Sequence, residues 1–270
     1  MAKHWYYRSG DEAYQIPKAD GNGMKSPTIT DAKQIGLVPS VTTIISDTQH
    51  AERLQRWKMW RVLKTAYGAV DLANQLEFNQ WSAAVQKKAF SSGEEGADLG
   101  TQIHAVIESI LRNEDLPDYE MELAPEFFFG FSDWWNNSGL TAVSIEHKFA
   151  HPIGYGGKMD LVAYDEDDRD VFVDWKTKNT RGKTIKDFML PEQPKQLAAY
   201  AKGWAASTRS VLQSPRIISV YVSRDEQGRV EEHEWDSEMF EDYWEAFLGL
   251  LVNWKLDNKY DPCFYSEEEQ

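Results

Sequence analysis

Short apolar runs bounded by polar turns recur in the second half of this chain, at 141–149, 158–164, 171–176, 216–223 and 229–235. Their length and their β-branched and aromatic content predict strands. Elsewhere the apolar spacing changes to three and four residues. Ile103, Val106, Ile107, Ile110 and Leu111 form one stripe, which predicts a helix over 96–111. A phenylalanine-rich helix is expected over 125–136, another helix over 193–207, and an amphipathic one over 237–256. The last carries Phe240, Tyr243, Trp244, Phe247, Leu251 and Trp254 on its inward side.

The first half is less regular. Residues 1–37 read as an irregular or hairpin-bearing region, with a turn at Asp20-Gly-Asn-Gly23 and a strand fragment at Trp5-Tyr-Tyr. A short β-branched run follows at 39–45, then a helical pattern over 48–73 and a loop at 91–95. The order of elements predicts an α/β or α+β sandwich. Residues 1–95 would form an accessory region and residues 96–270 the core.

Composition narrows this picture. The chain has 270 residues, 41% of them hydrophobic, and eleven tryptophans, enough for a substantial core. Cys263 is the single cysteine, which excludes a disulfide framework and any four-cysteine metal site and fits a reducing cytoplasm. No run reaches the length of a membrane span, and the first residues lack an apolar signal core, so a soluble cytoplasmic protein is expected. The net charge of −15, from 29 basic and 44 acidic residues, argues against a protein that coats nucleic acid nonspecifically. It leaves room for a local basic channel.

The chemistry concentrates in two of the runs, Gly157-Lys-Met-Asp160 and Val173-Asp174-Trp175-Lys176. Alternation puts Asp174 and Lys176 on one face of a strand and Trp175 on the other. If the runs pair as a hairpin, Asp160 lies beside Asp174. Two carboxylates that close either share a proton or hold a cation, and a divalent metal suits oxygen ligands. Lys176 would then stabilise an anion or orient a water. A solvated hairpin with ordinary charges is the plain alternative.

The hairpin does not stand alone. Gly100-Thr-Gln-Ile-His104 precedes it on a helix, Glu146 lies in the strand before, and Gln196-Leu-Ala-Ala-Tyr200 follows on the next helix. This ordered set resembles the PD-(D/E)XK nuclease superfamily, in particular its RecB-like exonuclease branch. Pro39-Ser-Val-Thr-Thr and the tryptophan-bearing helix after it are similar to phage-encoded members and to the mitochondrial genome maintenance exonuclease.

The resemblance implies a mixed central sheet flanked by helices and a DNA exonuclease acting on single strands or free ends. It implies Mg²⁺ or Mn²⁺ held by His104, Asp160, Asp174 and the Trp175 carbonyl, with Lys176 acting on the water or the phosphate. Gln196 and Tyr200 would touch the substrate strand or brace Lys176, and Glu146 would support the site or serve a second metal. Phage-type replication or recombination is the implied setting. No nucleotide-binding P-loop occurs, so any unwinding would come from a partner protein. A structure-specific endonuclease and a non-catalytic nucleic-acid-binding recombination protein are the competing readings.

Other charged positions read two ways. His104 alone on an apolar helix would be structural; its place ahead of the hairpin turns the reading toward a ligand. Arg53, Arg56 and Arg61 share a helical face interleaved with tryptophans, and suit a solvated surface or a nucleic-acid groove equally well. The tryptophans there are expected to pack inward. Lys178, Arg181, Lys183 and Lys186 form a basic loop beside the proposed site and favour substrate guidance. His147 and His151 are left outside the site, and 165–168 is expected to be a solvated turn.

Overall fold

The computed structural model describes residues 3–19, 21–49, 51–114 and 126–264. Strands β1 (Trp5–Tyr6), β2 (Ile16–Pro17) and β3 (Met24–Lys25) lead into helix α1 (Ile29–Ile35) and strand β4 (Val38–Pro39). Helices α2 (Val41–Gln49), α3 (Ala51–Tyr67), α4 (Val70–Ala73), α5 (Phe78–Arg112) and α6 (Glu126–Asn137) follow. The sheet-forming half contains β5 (Thr141–His151), β6 (Tyr155–Tyr164), β7 (Asp170–Lys178), helix α7 (Gln193–Thr208), β8 (Arg216–Ser223), β9 (Val230–Trp235) and helix α8 (Phe240–Asn258). Among the described residues no helix is long and apolar enough to cross a membrane.

All five expected strands are present and form one sheet in the order β5-β6-β7-β8-β9. Only β7 and β8 are parallel. Parallel neighbours need a crossover, and α7 supplies it. Period-two alternation splits the core between the two faces. Leu161, Ala163, Val171, Val173 and Trp175 pack with Ile103, Val106 and Phe131 of α5 and α6. Val162, Phe172 and Ile217 pack with Leu197, Trp204, Phe247 and Trp254 of α7 and α8.

The amino-terminal segment belongs to the second of these cores. Trp5 is fully buried and meets Trp254 edge-on at 6.0 Å. Tyr260 OH donates to the carbonyls of Ala32 and Leu37 at 3.1 and 2.8 Å. Gly156 on β6 makes this approach possible, because a Cβ there would lie 2.9 Å from the Tyr6 Cβ.

Several elements differ from their sequence expectation. The β-branched run 39–45 contributes only its start to a strand; from Val41 it is helical. Ser40 explains the switch, since its Oγ accepts from the Thr43 N–H at 2.9 Å as a helix cap, while Val41, Ile44 and Ile45 bury their side chains. The helix expected over 48–73 is divided among α2, α3 and α4. The loop expected at 91–95 lies inside the 35-residue α5. No proline interrupts that stretch, and a helix glycine costs only about 1 kcal/mol. Helix α1 had no counterpart in the apolar pattern; its signal is the capping box of Thr28 and Asp31. A β2–β3 hairpin forms around the expected turn, of which Asp20 lies outside the described residues.

The aspartate-rich turn is not simply solvated. The Asp165 side chain is only 7% exposed and accepts from Arg169 Nε and Arg216 Nη1 at 2.9 and 3.1 Å. His151 is likewise structural. It stacks on Tyr155 with ring centroids 4.9 Å apart, and burial lowers its pKa to about 4 from 6.5. Between those values the unfolded chain binds a proton that the folded protein refuses, so this residue's contribution is lost as pH falls from about 6.5 to about 4. The stability gap between wild type and His151→Phe should therefore narrow across that window in urea titrations. A gap independent of pH would contradict the assignment.

Candidate active site

Strands β6 and β7 pair only from Leu161↔Val173 to Tyr164↔Asp170. Beyond Leu161 the two strands separate, β6 staying with β5 and β7 with β8. Asp160 sits at this fork. Its Oδ2 accepts from the Trp175 backbone N–H at 3.0 Å, replacing the strand hydrogen bond lost there.

Glu146 faces Asp160 from β5, between the pairs Ile145↔Leu161 and His147↔Met159. Its φ of 57° is left-handed, uncommon for a non-glycine residue and costly inside a strand. His104 reaches the same point from α5. One ligand atom each from His104, Glu146 and Asp160 lie within 4.8 Å of one another. Among the described residues this is the one group of three such donors.

The electrostatics favour a cation. Burial drives the Asp160 carboxyl well above the ordinary carboxylate range, and the nearby Asp174 adds to the effect. Burial also lowers the His104 pKa to about 4, outweighing the attraction of Asp174, so the imidazole is neutral and its lone pair available. Two carboxylates and a neutral imidazole fit Mg²⁺ or Mn²⁺, the imidazole being better tolerated by Mn²⁺.

A second group adjoins the first. Lys176 Nζ donates to both Asp174 oxygens, at 2.9 and 2.6 Å, and to Gln196 Oε1 at 3.3 Å. Gln196 Nε2 in turn donates to Asp174 Oδ1 at 2.8 Å and to Tyr200 OH at 3.1 Å. The one-turn spacing of Gln196 and Tyr200 along α7 creates this brace. Both groups line one cavity of about 610 Å³.

The expected residues therefore distribute as follows. His104, Glu146, Asp160, Asp174, Lys176, Gln196 and Tyr200 all line that cavity. Glu146 is more central than the sequence suggested. Asp174 stands outside the donor trio, engaged by Lys176 and Gln196. The Trp175 ring is buried on the opposite face, edge-on to His104 at 6.1 Å. Lys178, Arg181 and Lys183 do not line the cavity. Arg181 and Lys183 are exposed in the loop after β7, while Lys178 is half-buried.

That loop is held in place by an acid and a base from beyond β8. Asp225 accepts from Thr180 N at 2.7 Å, and Arg229 donates to the Thr180 and Lys183 carbonyls at 3.0 and 2.8 Å. Arg56 is exposed and Arg61 half-buried on α3; the Arg53 side chain lies outside the described residues. Trp60 overturns the inward-packing expectation. It is 57% exposed and carries Lys64 Nζ 4.9 Å from its ring centroid. The Trp57 side chain lies outside the described residues.

Sequence reasoning missed Lys158 and the amino-terminal wall. Lys158 is paired with Glu146 and lies 3.5 Å from Glu12. Burial pulls its pKa down, but the Glu146 carboxylate more than reverses this and raises it to about 12. Its signal was available: two residues before Asp160 on one strand means a shared face. His4, Tyr6, Tyr14, Ser40 and Thr42 also line the cavity, and no local pattern marks them.

A model of the PD-(D/E)XK nuclease superfamily matches residues 121–262. Among solved structures, SSO0001 is similar at 16% identity and a TM-score of 0.29, over 64% of this chain and 68% of that one. The alkaline exonuclease LHK-Exo from Laribacter hongkongensis is similar at 17% identity and a TM-score of 0.33, over 59% of this chain and 81% of that one. Its complex with dAMP gives 18% identity and a TM-score of 0.32, over 59% and 82%. These likenesses are too remote to transfer any residue's role. No curated protein matches the chain.

Proposed function

We propose that this chain, which belongs to the PD-(D/E)XK nuclease superfamily, is a divalent-metal-dependent DNA exonuclease acting on single strands or free ends. The observation that supports this best is the His104, Glu146 and Asp160 trio beside Lys176 in one cavity. The trio would hold Mg²⁺ or Mn²⁺, with Asp174 near enough to add its negative field. A cation bound there supplies Lewis acidity toward the phosphate and favours a nucleophilic water at neutral pH.

The protein's own groups do the rest. Asp174 and Gln196 fix the Lys176 ammonium, which orients the attacking water or neutralises charge gained by the phosphate oxygens. Tyr200 keeps the Gln196 amide turned toward Asp174. Arg181 and Lys183, with Lys178 at the loop's root, draw the phosphate backbone in, while Arg56, Arg61 and Arg53 extend the path along α3. A role in phage-type replication or recombination, with partner proteins, in the cytoplasm, is part of this proposal.

Oligonucleotides labelled at either end, incubated with Mg²⁺, Mn²⁺ or a chelator, test it. Metal-dependent release of mononucleotides or short products from one end is expected, and covalently closed single-stranded circles should survive. Cleaved circles would convert the reading to an endonuclease. No metal-dependent cleavage of any substrate would refute it.

A further inference from the structure

The cavity has two chemically different walls. One holds the metal donors and Lys176; the other carries His4, Tyr6 and Tyr14, with Ser40 and Thr42 beside them. On that second wall His4 stacks on Tyr14, with ring centroids 4.5 Å apart and planes 29° apart. Tyr6 meets Tyr14 edge-on at 5.9 Å, and their hydroxyls are 2.8 Å apart.

Core packing does not account for the pair. Trp5, Tyr6 and Ala13 supply what this segment gives to the core and are buried, whereas His4 is exposed and Tyr14 half-buried. Nor is the segment loose. The His4 N–H donates to Thr43 Oγ1 at 3.1 Å, and its carbonyl accepts from Ser40 N at 3.0 Å. Glu12 pairs with Lys148 at 3.2 Å and Lys158 at 3.5 Å, and Lys158 also pairs with Glu146 of the donor trio. The aromatic wall is thus tied by a chain of charges to the site where the phosphate is expected. A pre-positioned ring surface of this kind suits the flat face of a base.

We propose that the His4–Tyr14 pair seats a nucleobase of the strand being cut, next to the scissile phosphate. This rests on the nuclease reading and adds the substrate group that the site grips besides phosphate. Stacking is tolerant of base identity, so the seat senses the presence of a base and not which base it is. It is a positioning device. The base held by the rings sets where its own phosphate falls along the donor trio and Lys176.

The test uses single-stranded oligonucleotides carrying one abasic residue, moved stepwise from each end, with the full chain and Mn²⁺. For wild type, one position near the cleaved end should lower kcat/KM about tenfold or more. His4→Ala and Tyr14→Ala should each cut normal substrate more slowly by a similar factor. At that position they should no longer distinguish an abasic residue from a base. Tyr14→Phe, which keeps the ring, should retain the discrimination. His4 is exposed, so its variant answers the question even where Tyr14→Ala fails to fold.

An active wild type that ignores abasic residues at every position would overturn the base seat alone. So would variants whose defect multiplies undiminished with the abasic defect. A wild type without metal-dependent cleavage would overturn the nuclease reading and the base seat together.

Discussion

Lys176→Met is expected to slow metal-dependent cleavage about 100- to 1000-fold, the usual scale for removing one preorganised charge stabiliser. The methionine keeps the aliphatic stem, so the change is chiefly of charge. In the resting protein Lys176 bonds both oxygens of the buried Asp174. Its removal leaves an acid-rich pocket with one cation fewer and takes away the donor to both Asp174 oxygens. Circular dichroism at the assay temperature separates this from unfolding, and the comparison is made only on folded protein. Gln196→Leu should show a smaller loss, since it disturbs the placing of Lys176 and leaves the ammonium present. Undiminished cleavage by folded Lys176→Met would remove the central support for the proposed chemistry.

Phe149→Ala should cost about 3–5 kcal/mol of folding stability, the range for emptying a buried aromatic site. Phe149 is 1% exposed and meets Tyr155 and Tyr200 edge-on at 5.9 and 6.0 Å. Its ring also fills the space over two glycines. A Cβ on Gly203 would lie 2.0 Å from the ring, and one on Gly157 would lie 2.9 Å from it. Gly203→Ala should therefore destabilise as well, by overpacking. The two changes concern the same space, so the double variant should lose less than the sum of the singles. Urea midpoints with unchanged slopes would report this directly. Strict additivity would mean that the ring does not occupy the place described.

How much of this was legible beforehand depended on how local the signal was. Strand alternation correctly separated Asp174 and Lys176 from Trp175, and helical spacing correctly joined Gln196 to Tyr200. Those relations follow from one element's geometry. The grouping of His104 with Glu146 and Asp160, leaving Asp174 to Lys176, needed more. It depends on the left-handed backbone of Glu146 and on the point where β6 and β7 part. Neither is written in a local pattern. Trp60 was misjudged for a related reason: an aromatic at helical spacing packs inward only if something lies opposite, and on α3 Met59, Trp60 and Leu63 are all exposed. The His4 and Tyr14 wall was invisible because the donors it faces, His104, Glu146 and Asp160, lie 90 or more residues away in sequence.

The contact between Trp5 and Trp254 has a consequence for how the protein is made. Strand β1 completes its hydrophobic packing only once residue 254 is available, and closing so large a loop is slow. A nascent chain can collapse around its central strands well before that moment. The two-walled cleft is finished only when the first strand, the central sheet and helix α8 have come together, so a chain folded around its central strands alone carries the acids and the lysine in a site with one wall.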